Sequence, residues 1–310
     1  MLRVGVIGVG YLGRLHAQKI ASFDDVDFIG VCDTDGERGR SVAEEFGTSF
    51  LGDTRSLLQQ VDAVSIAVPT TAHFRVARDA MRAGVHVLLE KPIAASVREG
   101  RALVREASAR RLVFQIGHLE RFNPAVLSAA SVLKEPRFIE CHRLGTFGGR
   151  GTDVDVVLDL MIHDIDLILS FVRSPVARIS AVGVPVISPN VDIANARLTF
   201  ANGCVANVTA SRVSMRKQRK IRIFQEDAYV SMDFVENNIQ IFRRMFPQGP
   251  EGLPEITGEI LETEKGDPLR DEIRSFVDCA RTGSAPRVSG AEGLAALEVA
   301  FRILRKMKRR

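Results

Sequence analysis

The chain has no tryptophan and two tyrosines among its 310 residues, too few aromatics to interleave with cations as a base-stacking groove requires. No nucleic-acid partner is therefore expected. It has no run of about 18 apolar residues, so no membrane span is expected either. Cys32, Cys141, Cys204 and Cys279 are scattered, with no CxxC and no Cys/His metal spacing, which argues against a metal centre or a disulfide framework. The N-terminus lacks a charged leader with an apolar core and runs straight into a strand. These absences point to a reduced, cytoplasmic protein. Charge of one sign is also scarce. The net charge is +4, and the excess lies in Arg305, Lys306, Lys308, Arg309 and Arg310, a basic run that reads as a solvated helix end.

What is present begins with RVGVIG at residues 3–8, an apolar run fit for a buried parallel strand. It enters GVGYLG and then a helical pattern, the setting in which GxGxxG signifies a dinucleotide fold. Gly8 permits the tight turn, Gly10 lets the backbone approach a pyrophosphate, and Gly13 lets helix and strand pack closely. With Tyr11 and Leu12 they form the expected cofactor loop, and the helix N-terminus faces the anion. The second strand, 26–32, ends at Asp33, where a carboxylate accepts hydrogen bonds from ribose hydroxyls and repels a 2′-phosphate. NAD is thus favoured over NADP, although Arg38 and Arg40 lie nearby in a helical stretch.

Strands then alternate with helices: strand 62–68, helix 72–83, strand 85–89, helix 96–110, strand 112–117. That alternation means a doubly wound parallel sheet, whose ligands bind beyond the carboxyl ends of its strands. Thr70, His73, Glu90 and Lys91 fall there and are expected near the cofactor, with His73 readable equally as a packing residue. In Glu90-Lys91-Pro92 a lysine leaves a strand end beside a proline that fixes the turn. A cation there can steady the alkoxide that develops as a hydride leaves.

The alternation stops near residue 120. Residues 137–144, 177–185, 193–200, 204–211, 220–225, 228–234 and 238–242 read as strands, several joined by hairpin turns. A Gly/Pro-rich loop covers 247–254, and helices cover 269–281 and 291–308. The expectation is a dinucleotide-binding domain over 1–120 and a second α/β domain over 121–310, with a mostly antiparallel sheet. One face of that sheet needs cover, so a homo-oligomer is expected through it.

The stretch DVVLDLMIHDIDLILSF at 155–171 stands apart. At about 100° per residue, Asp159, His163 and Asp166 share one face of a helix that is otherwise apolar nearly all round. Such a stripe is either paired internally or lines a cavity, because unpaired burial costs several kcal/mol. An aspartate one turn from a histidine can orient the imidazole for proton transfer.

GVGYLG, EKP at 90–92 and the D-x-x-x-H pair of Asp159 and His163, in a chain of this length, resemble the glucose-fructose oxidoreductase / inositol dehydrogenase / rhizopine catabolism family (Gfo/Idh/MocA). The resemblance covers essentially the whole chain. It implies a Rossmann domain, a second domain with a large open-faced sheet, and NAD(P)-dependent oxidation or reduction of a sugar or cyclitol hydroxyl. It also implies that Lys91 contacts the reacting hydroxyl and the nicotinamide side, that His163 accepts the proton, and that Asp159 orients it. Which of Lys91 and His163 is the formal base stays open.

HLERFNP at 118–124, DLMIHDID at 159–166 and SRVS…RKIRIFQ at 211–225 are similar to the subgroup that oxidises C3 of UDP-N-acetylglucosamine for 3-amino lipid A precursors. Arg121 and Asn123, leaving the sixth strand, are candidates for substrate contact. Arg212, Lys217, Arg219 and Lys220 offer charge to a diphosphate or form a solvated strand edge. The rival readings are a dehydrogenase of a free sugar or inositol and a non-catalytic NAD or sugar sensor.

Overall fold

The computed structural model describes residues 1–148, 154–245, 255–262 and 266–308. The loop at 247–254 and Arg309 and Arg310 of the basic tail lie outside them. By contact the chain forms two compact units, Met1–Phe122 with Asp267–Leu297, and Asn123–Gly266 with Glu298–Arg310.

In the first unit the elements follow the expected alternation: β1 (Leu2–Ile7), α1 (Tyr11–Ala21), β2 (Val26–Cys32), α2 (Gly36–Glu45), β3 (Ser49–Phe50), α3 (Thr54–Leu58), β4 (Ala63–Ile66), α4 (Thr70–Arg82), β5 (His86–Glu90), α5 (Val97–Ala109) and β6 (Phe114–Gly117). The sheet order is β3-β2-β1-β4-β5-β6, and every adjacent pair is parallel. This is the doubly wound dinucleotide order, with its switch point between β1 and β4. Helix starts follow local chemistry: the side chains of Asp35, Asp53 and Ser96 cap α2, α3 and α5, each satisfying an amide the helix leaves unpaired.

The second unit contains α6 (Pro124–Ala130), β7 (Phe138–Leu144), a π-helical segment (Val157–Met161) running into α7 (Ile162–Val172), then β8 (Val176–Val184), β9 (Ile193–Phe200), β10 (Val205–Ser211), β11 (Gln218–Phe224), β12 (Ala228–Asp233), β13 (Asn238–Met245) and β14 (Glu255–Glu262). The order is β14-β13-β12-β11-β7-β10-β9-β8. Neighbours are antiparallel except β7 and β10, which run parallel. The sheet alternates as an open-faced sheet should: Ile139, Cys141, Val208, Ile221, Ile223 and Val230 are buried, and the intervening residues face the other way.

On that other face the aligned residues Phe138, Phe224, Tyr229 and Phe242 form an aromatic row. Their consecutive ring centroids are 5.7, 4.8 and 5.8 Å apart. The row ends on Gly258 of β14, where a Cβ would lie 2.6 Å from the Phe242 ring.

Two helices close the chain, α8 (Pro268–Thr282) and α9 (Gly290–Met307). The continuous division at residue 120 assigned both to the second domain, but contacts gather α8 and the first turns of α9 with the first unit. The reason is apolar: Ile273, Phe276 and Val277 share one buried cluster with Val4, Val6, Ile20 and Phe23. Val288 and Ser289 also cover the open edge of β6, Ile116 donating its amide to the Val288 carbonyl at 3.0 Å.

Candidate active site

The glycine loop is shaped as its spacing predicts. Gly8 sits at φ +84°, and a Cβ there would meet Val68 and the Ala67 backbone at under 3 Å. At Gly13 a Cβ would lie 1.7 Å from the Gly8 carbonyl oxygen, so only glycine lets α1 pack on the loop. Gly10 faces open space, with nothing within 4 Å of an added Cβ. No side chain caps α1 there, and its N-terminal amides point toward that opening. Tyr11 is 73% and Leu12 41% exposed, unusual for large apolar residues at the mouth of a sheet. A pyrophosphate-bearing cofactor fits this cradle.

Asp33 lies at the end of β2 as expected, with its carboxylate already occupied. Oδ2 accepts from the Val9 amide at 2.7 Å, Oδ1 accepts from the Asp35 amide at 2.9 Å, and Arg38 Nη2 donates to Oδ1 at 2.7 Å. Burial pushes the Asp33 carboxyl up, but Arg38 and the two amides outweigh it and hold it below its ordinary value. It is an anion that ties the glycine loop to β2, with Arg38 as its counter-charge.

Thr70 opens α4 after Pro69 and is half-buried. His73, expected at the cofactor, is 1% exposed. Its Nδ1 lies 2.8 Å from the Pro92 carbonyl and its Nε2 lies 2.9 Å from the Val68 carbonyl. Glu90 is likewise inside: Oε1 is 3.1 Å from His16 Nε2, and Oε2 accepts the Lys91 amide at 3.1 Å. Both side chains are bonded to neighbouring groups inside the first unit. Lys91 is half-buried at the end of β5, before a cis peptide to Pro92. The bond between Glu90 and His16 is a contact the sequence reading missed. Its signal was a histidine three residues after the last loop glycine.

The candidate substrate residues also have structural work. Arg121 donates to Glu292, and Asn123 caps α6 by accepting from the Ala125 amide at 3.0 Å. Arg212 is 5% exposed; its Nη2 donates to the Val154 carbonyl at 2.6 Å and its Nε is 3.7 Å from Asp192. Asp192 accepts the Ser188 hydroxyl at 2.6 Å and the amides of Val186, Ile187 and Ser188 at 2.7–2.9 Å; burial pushes its carboxyl up, but the Ser188 hydroxyl and these amides outweigh it and hold it well below the usual range. Strand alternation places Arg219 on the same face as Ile221 and Lys220 on the opposite one. The four cations named above therefore do not form one diphosphate pocket.

In the second unit the expected straight helix is replaced by π winding at Val157–Met161. Bonds from i to i+5 change the rotation per residue, so Asp159 is displaced from its regular α-helical position relative to His163; such segments recur at functional sites. Asp159 and His163 are half-buried, whereas Asp166 is 2% exposed. Asp164 turns to the sheet, where Arg143 of β7 holds it. Lys91 belongs to the first unit and Asp159 and His163 to the second. Among the described residues no acidic, His or Cys cluster could hold a metal ion.

A parallel sheet with a glycine cradle and a lysine at a strand end, joined to an open-faced sheet bearing an Asp/His helix, defines an NAD-binding oxidoreductase. The chain belongs to the Gfo/Idh/MocA family: residues 2–118 match its oxidoreductase family model with the NAD-binding Rossmann fold, and residues 135–231 match its C-terminal domain. It is 40% identical over 303 residues to UDP-N-acetylglucosamine 3-dehydrogenase of Acidithiobacillus ferrooxidans, covering 97% of this chain and 96% of that one. A solved structure of that dehydrogenase superimposes with a TM-score of 0.93 at 39% identity, over 99% of this chain and 98% of the other. Scyllo-inositol dehydrogenase of Lactobacillus casei, solved with NAD(H) and scyllo-inositol, shares the fold at a TM-score of 0.83 and 20% identity, over 100% and 97% of the two chains.

Proposed function

We propose that this protein oxidises C3 of UDP-N-acetylglucosamine to the 3-keto sugar nucleotide. The observation that carries this reading is the 40% identity, across nearly the whole length of both chains, to the enzyme of that name. The stretches HLERFNP, DLMIHDID and SRVS…RKIRIFQ support it. Inositol dehydrogenases are more distant, the one from Thermotoga maritima at 24% identity.

Bound NAD supplies the acceptor for the hydride that leaves C3. The chain's own residues handle the proton and the oxygen. His163 accepts the hydroxyl proton, Asp159 orients its ring, and Lys91 donates to the reacting oxygen, offsetting the charge that develops as the C–O bond becomes a carbonyl. The loop of Gly8, Gly10, Tyr11, Leu12 and Gly13 would hold the pyrophosphate of bound NAD, and the Asp33 carboxylate would accept from its ribose hydroxyls. Residues of the first unit thus serve the cofactor and, through Lys91, the reacting oxygen, and those of the second serve the sugar nucleotide and subunit pairing. The aromatic row from Phe138 to Phe242 is half-buried on the sheet face opposite the buried one, and a second copy of the chain would cover it, which supports a homo-oligomer through the open face. Four free, buried cysteines suit a reducing compartment, and this reading puts the enzyme in the cytoplasm, feeding a lipid A or related sugar-nucleotide pathway.

The test is absorbance at 340 nm with NAD and UDP-N-acetylglucosamine, with inositol and glucose in parallel. An aminotransferase with glutamate draws off the ketone should equilibrium oppose its release. NADH formed with the sugar nucleotide alone supports the reading. NADH from inositol or glucose instead overturns the substrate while leaving the family intact.

A further inference from the structure

The Lys91–Pro92 dipeptide is held through its backbone at both ends. On one side the Lys91 amide donates to Glu90 Oε2, and Glu90 Oε1 meets His16 Nε2, both at 3.1 Å. Ser65 Oγ of β4 continues the chain 2.7 Å from His16 Nδ1. On the other side the carbonyl of Pro92 meets His73 Nδ1 at 2.8 Å. His16, Ser65 and His73 are each at most 1% exposed. They come from α1, β4 and α4, and they converge on one dipeptide.

The chemistry of the chain is directional. A carboxylate oxygen only accepts, so His16 Nε2 carries a proton, and the Ser65 hydroxyl can complete the ring's other nitrogen. Burial opposes ionisation of Glu90, yet the bond from His16 and the neighbouring positive charge hold its pKa below the ordinary carboxylate value. A buried anion is costly unless fully paired, and packing alone is better served by an apolar residue. The neighbouring strand also leaves room for it: a Cβ on Gly117 would lie 3.1 Å from the Glu90 carboxyl carbon.

We propose that His16, acting through Glu90, and His73, acting through the Pro92 carbonyl, are positioning residues that fix where the Lys91 side chain emerges. This rests on the role of Lys91 proposed above. Both flanking backbone groups of the dipeptide are tied, so the Lys91 amine reaches its target from an anchored Cα. A misplacement of about 1 Å costs roughly a hundredfold in rate.

The experiment is a mutant cycle on kcat, KM and NAD affinity with His16→Met, His16→Gln, Lys91→Ala and the His16→Met/Lys91→Ala double variant. Methionine keeps the volume without a donor, and glutamine carries an amide N–H to the Nε2 position. His16→Met should lower kcat on the order of a hundredfold with NAD affinity retained, and His16→Gln should recover most of it. In the Lys91→Ala background His16→Met should cost nothing further. His73→Leu and His73→Gln are read in the same way for the other side. Full multiplication of the losses, or an unchanged kcat in His16→Met, overturns the proposal. A silent Lys91→Ala instead removes the catalytic reading of Lys91, and the brace loses its purpose with it. Should His16→Met fold poorly, Glu90→Met removes both carboxylate acceptors at similar volume. Hydrogen exchange at the Lys91 amide needs no substrate and should quicken in Glu90→Met; retained protection would mean there is no brace.

Discussion

Arg143 of β7 and Asp164, the residue after His163, form a buried ion pair. Arg143 Nε lies 3.1 and 3.0 Å from the two carboxylate oxygens and Nη2 lies 2.9 Å from Oδ1, with both side chains under 5% exposed. The pair pins the first turn of α7 to β7 and so sets the direction in which the next side chain back along the helix can point.

Removing one partner leaves the other charge buried. Arg143→Met should lower unfolding free energy by about 3–5 kcal/mol, read by urea denaturation. Replacing both, as Arg143→Met with Asp164→Leu, should recover much of that loss, because neither member of the pair is then buried without the other. Equal losses for the single and double variants would mean that the pair is held by something other than its own attraction.

Gly10 and Gly13 should separate binding from folding. Gly13→Ala drives a Cβ into the Gly8 carbonyl and should lower the thermal midpoint as well as NAD affinity. Gly10→Ala meets nothing in the protein, so the midpoint should hold while NAD binding weakens by about tenfold or more, roughly 1.4 kcal/mol. Calorimetric titration and thermal melts of the two variants check this.

Asp33 holds both the glycine loop and Arg38. Asp33→Ala should weaken NAD and release Arg38, whose side chain is 44% exposed, toward a 2′-phosphate. The ratio of kcat/KM for NAD to that for NADP should fall. An unchanged ratio would show that Asp33 serves the loop alone.

His163→Ala should lower kcat by about 10²–10⁴-fold and leave NAD affinity near that of the parent. Asp159→Asn should act on the same step with a smaller effect, because it disturbs the ring's orientation rather than removing the ring. Single-turnover NADH formation measures both.

Asp25 carries an acid-side prediction. Bonds from Arg281 and Arg274 of α8 lower its pKa from 3.8 to about 2. A carboxyl depressed on folding stabilises above its unfolded value and loses that contribution as pH falls through the folded one. Stability should therefore drop between about pH 4 and pH 2, and Asp25→Asn should flatten that part of the profile, measured by denaturation across pH.

Much of the first unit was readable in sequence because its signals are local. A loop glycine spacing, a carboxylate at the end of β2 and alternating strand and helix periods each act within a few residues, and the strand bounds 26–32 and 193–200 match β2 and β9 residue for residue. The short β3 and α3 were missed because two to five residues carry too little periodicity. β14 was missed because an edge strand of exposed residues has no buried face to mark it. The 155–171 helix misled because every residue in it suits a regular helix; the π segment depends on what its neighbours require.

For the candidate site, residue types were legible and partners were not. Lys91, Asp159 and His163 stood out through motif and spacing. That Glu90 pairs with His16, that His73 meets the Pro92 carbonyl and that Arg212 is buried against Asp192 all depend on contacts between residues well separated in the chain.

By itself the sequence determined the family, the parallel dinucleotide sheet, the antiparallel second sheet and the residue types available for hydride chemistry, since these follow from local periodicity and short motifs. The tertiary structure decided which polar groups are spent inside the fold and which remain for a ligand. It also decided that α8, distant in sequence, completes the first core. Burial and hydrogen-bond pairing are satisfied across the whole fold at once, and a buried charge takes whichever partner the packing brings within reach.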